Sequence, residues 1–194
     1  MITVGITGGI GSGKTIICKV FKQLNVPVYN ADSEAKILIA TDKQVQSKIT
    51  AVFGENIFRD GELDRKKLAE IVFNDSSALK KLNNIVHPAI NNHFQTWLLS
   101  QTHPYVIKEA AILFESGSYK LMNYTVTVTA PESVRIQRVM KRDNIPQEAV
   151  KKRMENQMSD QEKIKRSNFV IYNDDKQLVL PQVIDLDKKF KADL

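Results

Sequence analysis

Gly8-Gly9-Ile10-Gly11-Ser12-Gly13-Lys14-Thr15 fits G-x-x-x-x-G-K-[ST], the phosphate-binding P-loop, and its flanks decide the fold. Before it, Ile2-Thr3-Val4-Gly5-Ile6-Thr7 reads as a short buried strand rich in β-branched residues. After it, Ile17, Val20, Phe21 and Leu24 recur at helical spacing. Strand, glycine loop, helix is the order the motif requires. The glycines let successive backbone N–H groups turn toward an anion without a Cβ clash, and the first helical turn adds its unpaired N–H groups. Such a loop holds a nucleoside triphosphate through Gly9, Gly11, Ser12, Gly13, Lys14, Thr15 and Ile16. Lys14 is expected to reach the β- and γ-phosphates and Thr15 to offer its hydroxyl to Mg²⁺. The plainer alternative is a glycine-rich turn, but eight matched positions and both flanks favour the P-loop.

Outward from the loop, strands and helices alternate. The stretch from Val26 reads as a second strand ending at Ala31 or Asp32, with Pro27 near its start. Ser33–Ile39 and Lys43–Phe53 read as helices, the second stopped by Gly54. Asp60-Gly61 marks a turn, and Asp64 is a candidate cap for a helix over Arg65–Phe73. Asp75 or Ser76 can cap the next helix, and Pro88 can open another carrying Ile90, Phe94, Trp97 and Leu98. Tyr105–Glu109 and Tyr124–Thr129 read as the third and fourth strands. Helices are expected from Pro131, from Pro146 and, through the capping box Ser159-Asp160-Gln161-Glu162, from Ser159. Asn168–Tyr172 is the last strand, and a helix closes the chain.

This pattern implies an α/β fold of P-loop kinase type, with a mostly parallel central sheet of about five strands flanked by helices. Roughly seventy mostly helical residues between the second and third strands exceed what a crossover needs. They are expected to form an inserted helical substrate subdomain, about 33–104, within a single domain over 1–194. Ligands of open α/β sheets bind beyond the carboxyl ends of the strands, where the P-loop, Asp32, Glu109 and the Ala130-Pro131 turn fall.

The 194 residues carry 42% apolar and 26% charged side chains, ordinary for a soluble globular chain. A net charge of +6 suits polyanionic substrates, whereas no Lys/Arg block or motif points to nucleic acid. The single cysteine, Cys18, excludes an internal disulfide and fits a reducing cytoplasm. No signal peptide is visible and no apolar run approaches membrane-spanning length, so a cytoplasmic chain without membrane contact is expected, as a monomer.

A P-loop names a nucleotide, not a reaction. The guanine-reading N-K-x-D is missing, since Asn173-Asp174-Asp175-Lys176 has the wrong order, and the third strand ends in Lys108-Glu109 rather than in the Asp of a motor ATPase. Small-molecule kinases need an acid near the acceptor hydroxyl and arginines over the phosphates. Asp32, at the expected end of the second strand, is the candidate acid, as general base or as a helper in placing Mg²⁺. A cap for the helix from Ser33 is the structural alternative. Arg135, Arg138 and Arg142 share one helix face. Arg138 and Arg142 are preferred to Arg135 as members of a lid, about 135–166, that closes on phosphates. A solvated basic face is the plain alternative. The three histidines show no zinc spacing.

An ordered series of segments resembles the dephospho-CoA kinase family over most of the chain. It runs through Ile6–Lys14, Asn30-Ala31-Asp32, Asp60–Leu68, Ile71–Phe73, Ile85–Ile90, Ile112-Leu113-Phe114-Glu115, Gln137-Arg138, Arg142-Asp143, Gln157 and Asn168–Ile171. The resemblance implies ATP-dependent phosphorylation of the ribose 3′-hydroxyl of dephospho-CoA, the last step of CoA synthesis, with Mg²⁺ accompanying ATP. It implies Asp32 as base, Lys14 and Arg138 as stabilisers of the transferring phosphoryl, and Arg142 on ATP. Asp32, His87, Leu113 and Glu115 are then expected on the acceptor, held by the inserted helices. Three places depart from the family pattern: Asn30 stands for an acid, Ala110-Ala111 stand near a usual proline, and Thr15-Ile16 replace Ser-Thr. The alternatives are another P-loop kinase, for a nucleoside monophosphate or small alcohol, or a nucleotide-gated binding module.

Overall fold

β-branched runs at both ends of the chain converge on one sheet. A computed structural model of the protein describes residues 1–59 and 62–193. The expected turn at Asp60-Gly61 lies outside the described residues. β1 (Ile2–Thr7), β2 (Val28–Asn30), β5 (Tyr105–Glu109), β6 (Tyr124–Thr129) and β7 (Phe169–Tyr172) form a five-stranded sheet in the order β2-β5-β1-β6-β7. Every neighbouring pair is parallel, with Gly5 opposite Lys108, Ile6 opposite Glu109 and Val126, and Asn30 opposite Glu109. Helices α1 (Lys14–Gln23) and α9 (Val179–Ala192) contact each other on one face. There Val4, Ile6, Ile17, Phe21, Ile107, Val126, Val128, Val183 and Phe190 form the main apolar cluster. The alternation of β6 explains its two faces: Val126 and Val128 join that cluster, and Thr125, Thr127 and Thr129 turn to polar partners. α6 (Glu132–Asp143), α7 (Gln147–Glu155) and α8 (Asp160–Arg166) follow β6, with Ile136, Val139 and Val150 closing a smaller cluster.

The start of the sheet carries a repeated clasp. Asn123, just before β6, accepts through Oδ1 from both N–H and Oγ1 of Thr3, each at 2.9 Å. Asn168, just before β7, accepts in the same way from Thr125 N–H at 2.8 Å and its Oγ1 at 2.9 Å. Each asparagine ties its own strand to the neighbour, so Asn168 lies before the strand rather than in it. At the β7 edge, Gln182 of α9 accepts from Tyr172 N–H and donates back to Tyr172 O, both at 2.9 Å.

The chain from Ala31 to Ser100 forms a second compact unit, and 1–30 with 101–194 form the first. In the second unit, α2 (Ala31–Thr41), α3 (Lys43–Phe53), α4 (Arg65–Asn74) and α5 (Ser76–Leu99) enclose Val45, Ile49, Ile57 and Leu68. A two-stranded antiparallel ladder of β3 (Phe58–Arg59) and β4 (Glu62–Leu63) was not foreseen. Asp42, Asp64 and Asp75 cap their helices through backbone N–H groups of Gln44, Lys67 and Ser77.

Two expectations need correction. β2 stops at Asn30 and α2 starts at Ala31, so Asp32 stands in the first helical turn and is not a cap. Nor does Pro88 open a helix, because it lies inside the single helix α5. An interior proline costs about 3 kcal/mol. Val86, Ile90 and Phe94, spaced at i, i+4 and i+8, are buried, and α5 contacts α2, α3 and α4, so packing outweighs the local penalty.

Candidate active site

The P-loop turns between β1 and α1 on left-handed glycines, Gly11 at φ 80° and Gly13 at φ 92°. Gly13 has a second requirement: Asn173 Nδ2 comes in to donate to Ser12 O at 2.9 Å, and a Cβ on Gly13 would collide with that amide. α1 then begins at Lys14, so its first N–H groups, which have no intrahelical acceptor, open the helix at the loop. Lys14 Nζ donates to Gly8 O at 2.8 Å and to Gly9 O at 3.4 Å, folded over the loop it belongs to. Ser12 is buried, and among the described residues its hydroxyl is the one buried side-chain group lacking a hydrogen-bond partner.

Side chains from α6 and beyond brace this loop. Arg135 is buried, donates from Nε to Ile10 O at 3.0 Å and pairs with Asp160 at 2.6 Å. Asp160 also accepts from Thr129 Oγ1 at 2.8 Å. Gln157 accepts the Ile10 N–H at 2.9 Å. Arg138 donates to Gly11 O at 3.4 Å, to Asn173 O at 2.9 Å and to the exposed Asp175 carboxylate at 2.6 Å. Arg142 is directed elsewhere. It is exposed and held to its neighbour Asp143 at 2.7 Å, which Arg153 also reaches at 2.7 Å. That pairing raises the Arg142 pKa and lowers the Asp143 pKa, the Arg142–Asp143 hydrogen bond being the main cause of both. The loop therefore gathers Arg135 and Arg138, while Arg142 rests on Asp143. Beside it, a cavity of about 670 Å³ is lined by Thr129, Arg135, Met154, Gln157, Met158 and Asp160.

Glu109 closes the other side of the loop. It ends β5, next to β1 in the sheet, and is buried. Its Oε1 accepts from Thr15 Oγ1 at 3.5 Å and its Oε2 from Asn30 Nδ2 at 2.7 Å. The Cys18 thiol bonds the same carboxylate, and burial, then the Glu109 charge, pushes the thiol pKa up. Adjacent Lys108 points to the opposite face and is buried as well, which lowers its pKa to about 8.

The expected acceptor residues fall in different settings. Leu113 is fully buried, and its methyls lie where a Cβ on Gly5 would have to go. Its side chain packs against the sheet at Gly5. Glu115 accepts from Met158 N–H at 2.9 Å and pairs at 3.0 Å with Lys163, whose ammonium is fully buried and also donates to Ala111 O. Asp32 is exposed in the first turn of α2, and His87 is half-buried on α5; both belong to the helical unit. Ile16 is 56% exposed.

Sequence reading missed the weight of Arg135, Asp160, Asn173 and Glu109. Arg135 looked like one of three basic residues on a helix, and Asp160 like part of a capping box. Strand order was the missing signal for Glu109. The sequence puts Glu109 on the same sheet edge as the P-loop, but with the strand order unknown it does not put β5 next to β1. Asn173 follows β7 at the carboxyl edge, the one hint it offered.

A parallel sheet bearing a strand–glycine-loop–helix turn, with Lys14 and two arginines gathered on the loop, defines a P-loop kinase. The sequence model of the dephospho-CoA kinase family matches residues 2–178. The chain belongs to that family. It is 38% identical over 186 residues to the dephospho-CoA kinase of Bacteroides fragilis, covering 95% of this chain and 91% of the relative. With the Porphyromonas gingivalis dephospho-CoA kinase it shares 36% over 185 residues, 95% and 92% of the two chains. A crystal structure from Thermus thermophilus superposes with a TM-score of 0.84 at 33% identity, covering 100% and 97%. The dephospho-CoA kinase of Campylobacter jejuni gives 0.70 at 26% identity, covering 99% and 98%. A shikimate kinase from Acinetobacter baumannii, at 0.56 and 11% identity, shares the fold.

Proposed function

We propose that the chain transfers the γ-phosphoryl group of ATP to the ribose 3′-hydroxyl of dephospho-CoA, giving CoA and ADP. The observation that carries this reading is the loop itself: Lys14 folded over it, Arg138 beside it and a buried carboxylate behind it, in a chain of the dephospho-CoA kinase family. The N–H groups of Gly11, Gly13 and Lys14 cradle phosphate oxygens, with Gly9, Ser12, Thr15 and Ile16 completing the wall. Lys14 and Arg138 exchange carbonyl partners for phosphoryl oxygens, where charge spreads in the transition state. Arg142 leaves Asp143 to reach ATP from the 135–166 segment acting as a lid. Asp32 takes the proton of the acceptor hydroxyl, and the helical unit, with His87, holds the rest of the acceptor.

The donor set fits Mg²⁺. Thr15 Oγ1 and Glu109 Oε1, 3.5 Å apart, are hard oxygen donors, and Mg²⁺ in kinases is held by one or two protein oxygens plus phosphates and water. No cluster of three acidic, histidine or cysteine side chains suited to a metal occurs among the described residues. Held there by Thr15 and Glu109, the metal would supply neutralisation of the charge on the nucleotide phosphates. On this reading the chain is a cytoplasmic monomer, and its single buried cysteine suits a reducing compartment.

ADP release measured with dephospho-CoA, AMP, shikimate and pantothenate as acceptors tests the reading. Dephospho-CoA is expected to turn over fastest at equal concentration, and a faster rate with any other acceptor refutes the assignment. Asp32→Asn tests the base. It keeps a polar side chain in the first turn of α2, where loss of the charge costs only about 0.3–1 kcal/mol of stability. A fall in kcat of about a hundredfold with ATP affinity unchanged is expected. Activity within a few-fold of the unaltered chain removes Asp32 from the chemistry.

A further inference from the structure

Asn30 stands where the family pattern carries an acid, and it sits opposite Glu109 at the last paired position of β2 and β5. Its amide donates to Glu109 Oε2 at 2.7 Å, a short contact for an N–H donor to a carboxylate. The other carboxylate oxygen, Oε1, is left on the side of Thr15 Oγ1. The other contacts that Glu109 shows among the described residues are weaker. The Cys18 thiol is a weak donor, and the Thr15 contact, at 3.5 Å, lies at the long limit of a hydrogen bond. Without the amide, these weaker contacts alone oppose rotation about its last torsion, which is broad and roughly two-fold for Glu.

We propose that Asn30 is a positioning residue: by pinning Glu109 Oε2 it aims Oε1, together with the Thr15 hydroxyl, at the magnesium side of the nucleotide. The inference rests on the kinase reading and deepens it, because it assigns the Mg²⁺-facing carboxylate to β5 and its aim to β2. It also gives a physical reason for the amide at residue 30. An aspartate there would set two carboxylate oxygens about 2.7 Å apart, each lacking a donor from the other. The amide supplies what a second acid cannot, a donor facing Glu109.

The test compares ATP binding by calorimetry with Mg²⁺ and with EDTA, alongside Tm. Asn30→Ala is expected to weaken Mg·ATP binding about tenfold, the scale of one hydrogen bond to a charged group, and to leave metal-free ATP affinity within twofold. Glu109→Gln keeps an acceptor for Asn30 and hence the fold, and is expected to weaken Mg·ATP at least as much. The double variant Asn30→Asp with Glu109→Gln rebuilds the amide–carboxylate pair with its members exchanged. Its Tm should recover relative to Asn30→Asp alone, but its Mg·ATP affinity should not, because the carboxylate has moved from beside Thr15. If Asn30→Ala lowers Tm yet binds Mg·ATP within twofold of the unaltered chain, Asn30 only ties β2 to β5 and the proposal is wrong. Recovery of both quantities in the exchanged pair overturns it too. Failure of the kinase reading shows separately, as an unaltered chain that binds Mg·ATP but releases no ADP when dephospho-CoA is added.

Discussion

The two ends of the parallel sheet solve the same problem, buried polar groups, in opposite ways. At the amino end, Asn123 and Asn168 clasp Thr3 and Thr125, each with one oxygen accepting both the N–H and the hydroxyl of its threonine. These partners are neutral, close and contributed by adjacent strands. A third tie there, Tyr105 to Asp187 at 2.7 Å, is buried and backed by Lys191. At the carboxyl end two cations, Lys14 and Arg138, lie on groups that a phosphate can replace. Lys14 rests on P-loop carbonyls, and Arg138 on carbonyls and an exposed aspartate. A backbone carbonyl holds a cation well enough to order it, but a phosphate oxygen carries charge and binds it more strongly. One end is built to stay and the other to exchange.

Three measurements can break or sharpen this contrast, beginning with the largest effect. Arg138→Ala should lower kcat by about 10²–10³, the usual value of one preorganised donor, while Tm moves little because the arginine is partly exposed. A change confined to KM would mean that Arg138 binds ATP equally before and during transfer. Asn168→Ala should do the reverse. It strips the acceptor from Thr125 N–H and Oγ1 and should cost about 1–3 kcal/mol in denaturant unfolding, with kcat intact. Loss of activity without loss of stability would dissolve the distinction between the ends.

The smallest effect concerns charge. The clasps are neutral, so their contribution should not depend on pH, whereas Lys108 lies buried near the carboxyl end of β5 with its pKa lowered to about 8. Its unfolded value is near 10.4. Between those values the unfolded chain binds more protons than the folded one, so this lysine makes stability rise with pH. Below about 8 both states carry the charge and the burial penalty is constant. Lys108→Met should therefore lose this rise, which is on the order of 2 kcal/mol between pH 8 and 10. Parallel stability–pH curves for the two proteins would show that Lys108 is not the source.

Much of the fold was legible because its signals are local. The P-loop needs only eight consecutive residues, and Tyr124–Thr129 announces a strand by alternation. Asp64, Asp75 and Ser159 sit before helices as caps, with Ser159 accepting from Glu162 N–H at 3.2 Å. What stayed hidden depends on partners far along the chain. Pro88 looked like a boundary until its helix was seen packed on three others. Arg142 reads as a better candidate for contact with phosphates than Arg135, and only the fold shows Arg135 buried under the loop and Arg142 on Asp143. That the methyls of Leu113 fill the space left by Gly5 also depends on residues far apart in the chain.

Gln182 has a consequence of another kind. β7 is an edge strand, and an edge offers bare N–H and C=O groups to any extended segment that arrives. Two hydrophobic side chains nearby, Leu178 and Leu180, are exposed and would welcome such a visitor. The carboxamide of Gln182 answers both backbone groups of Tyr172 at once, like a single residue of a missing neighbouring strand. The final helix thus seals the sheet's rim at that position, so that an enzyme crowded among copies of itself meets them there with its hydrogen bonds already spent.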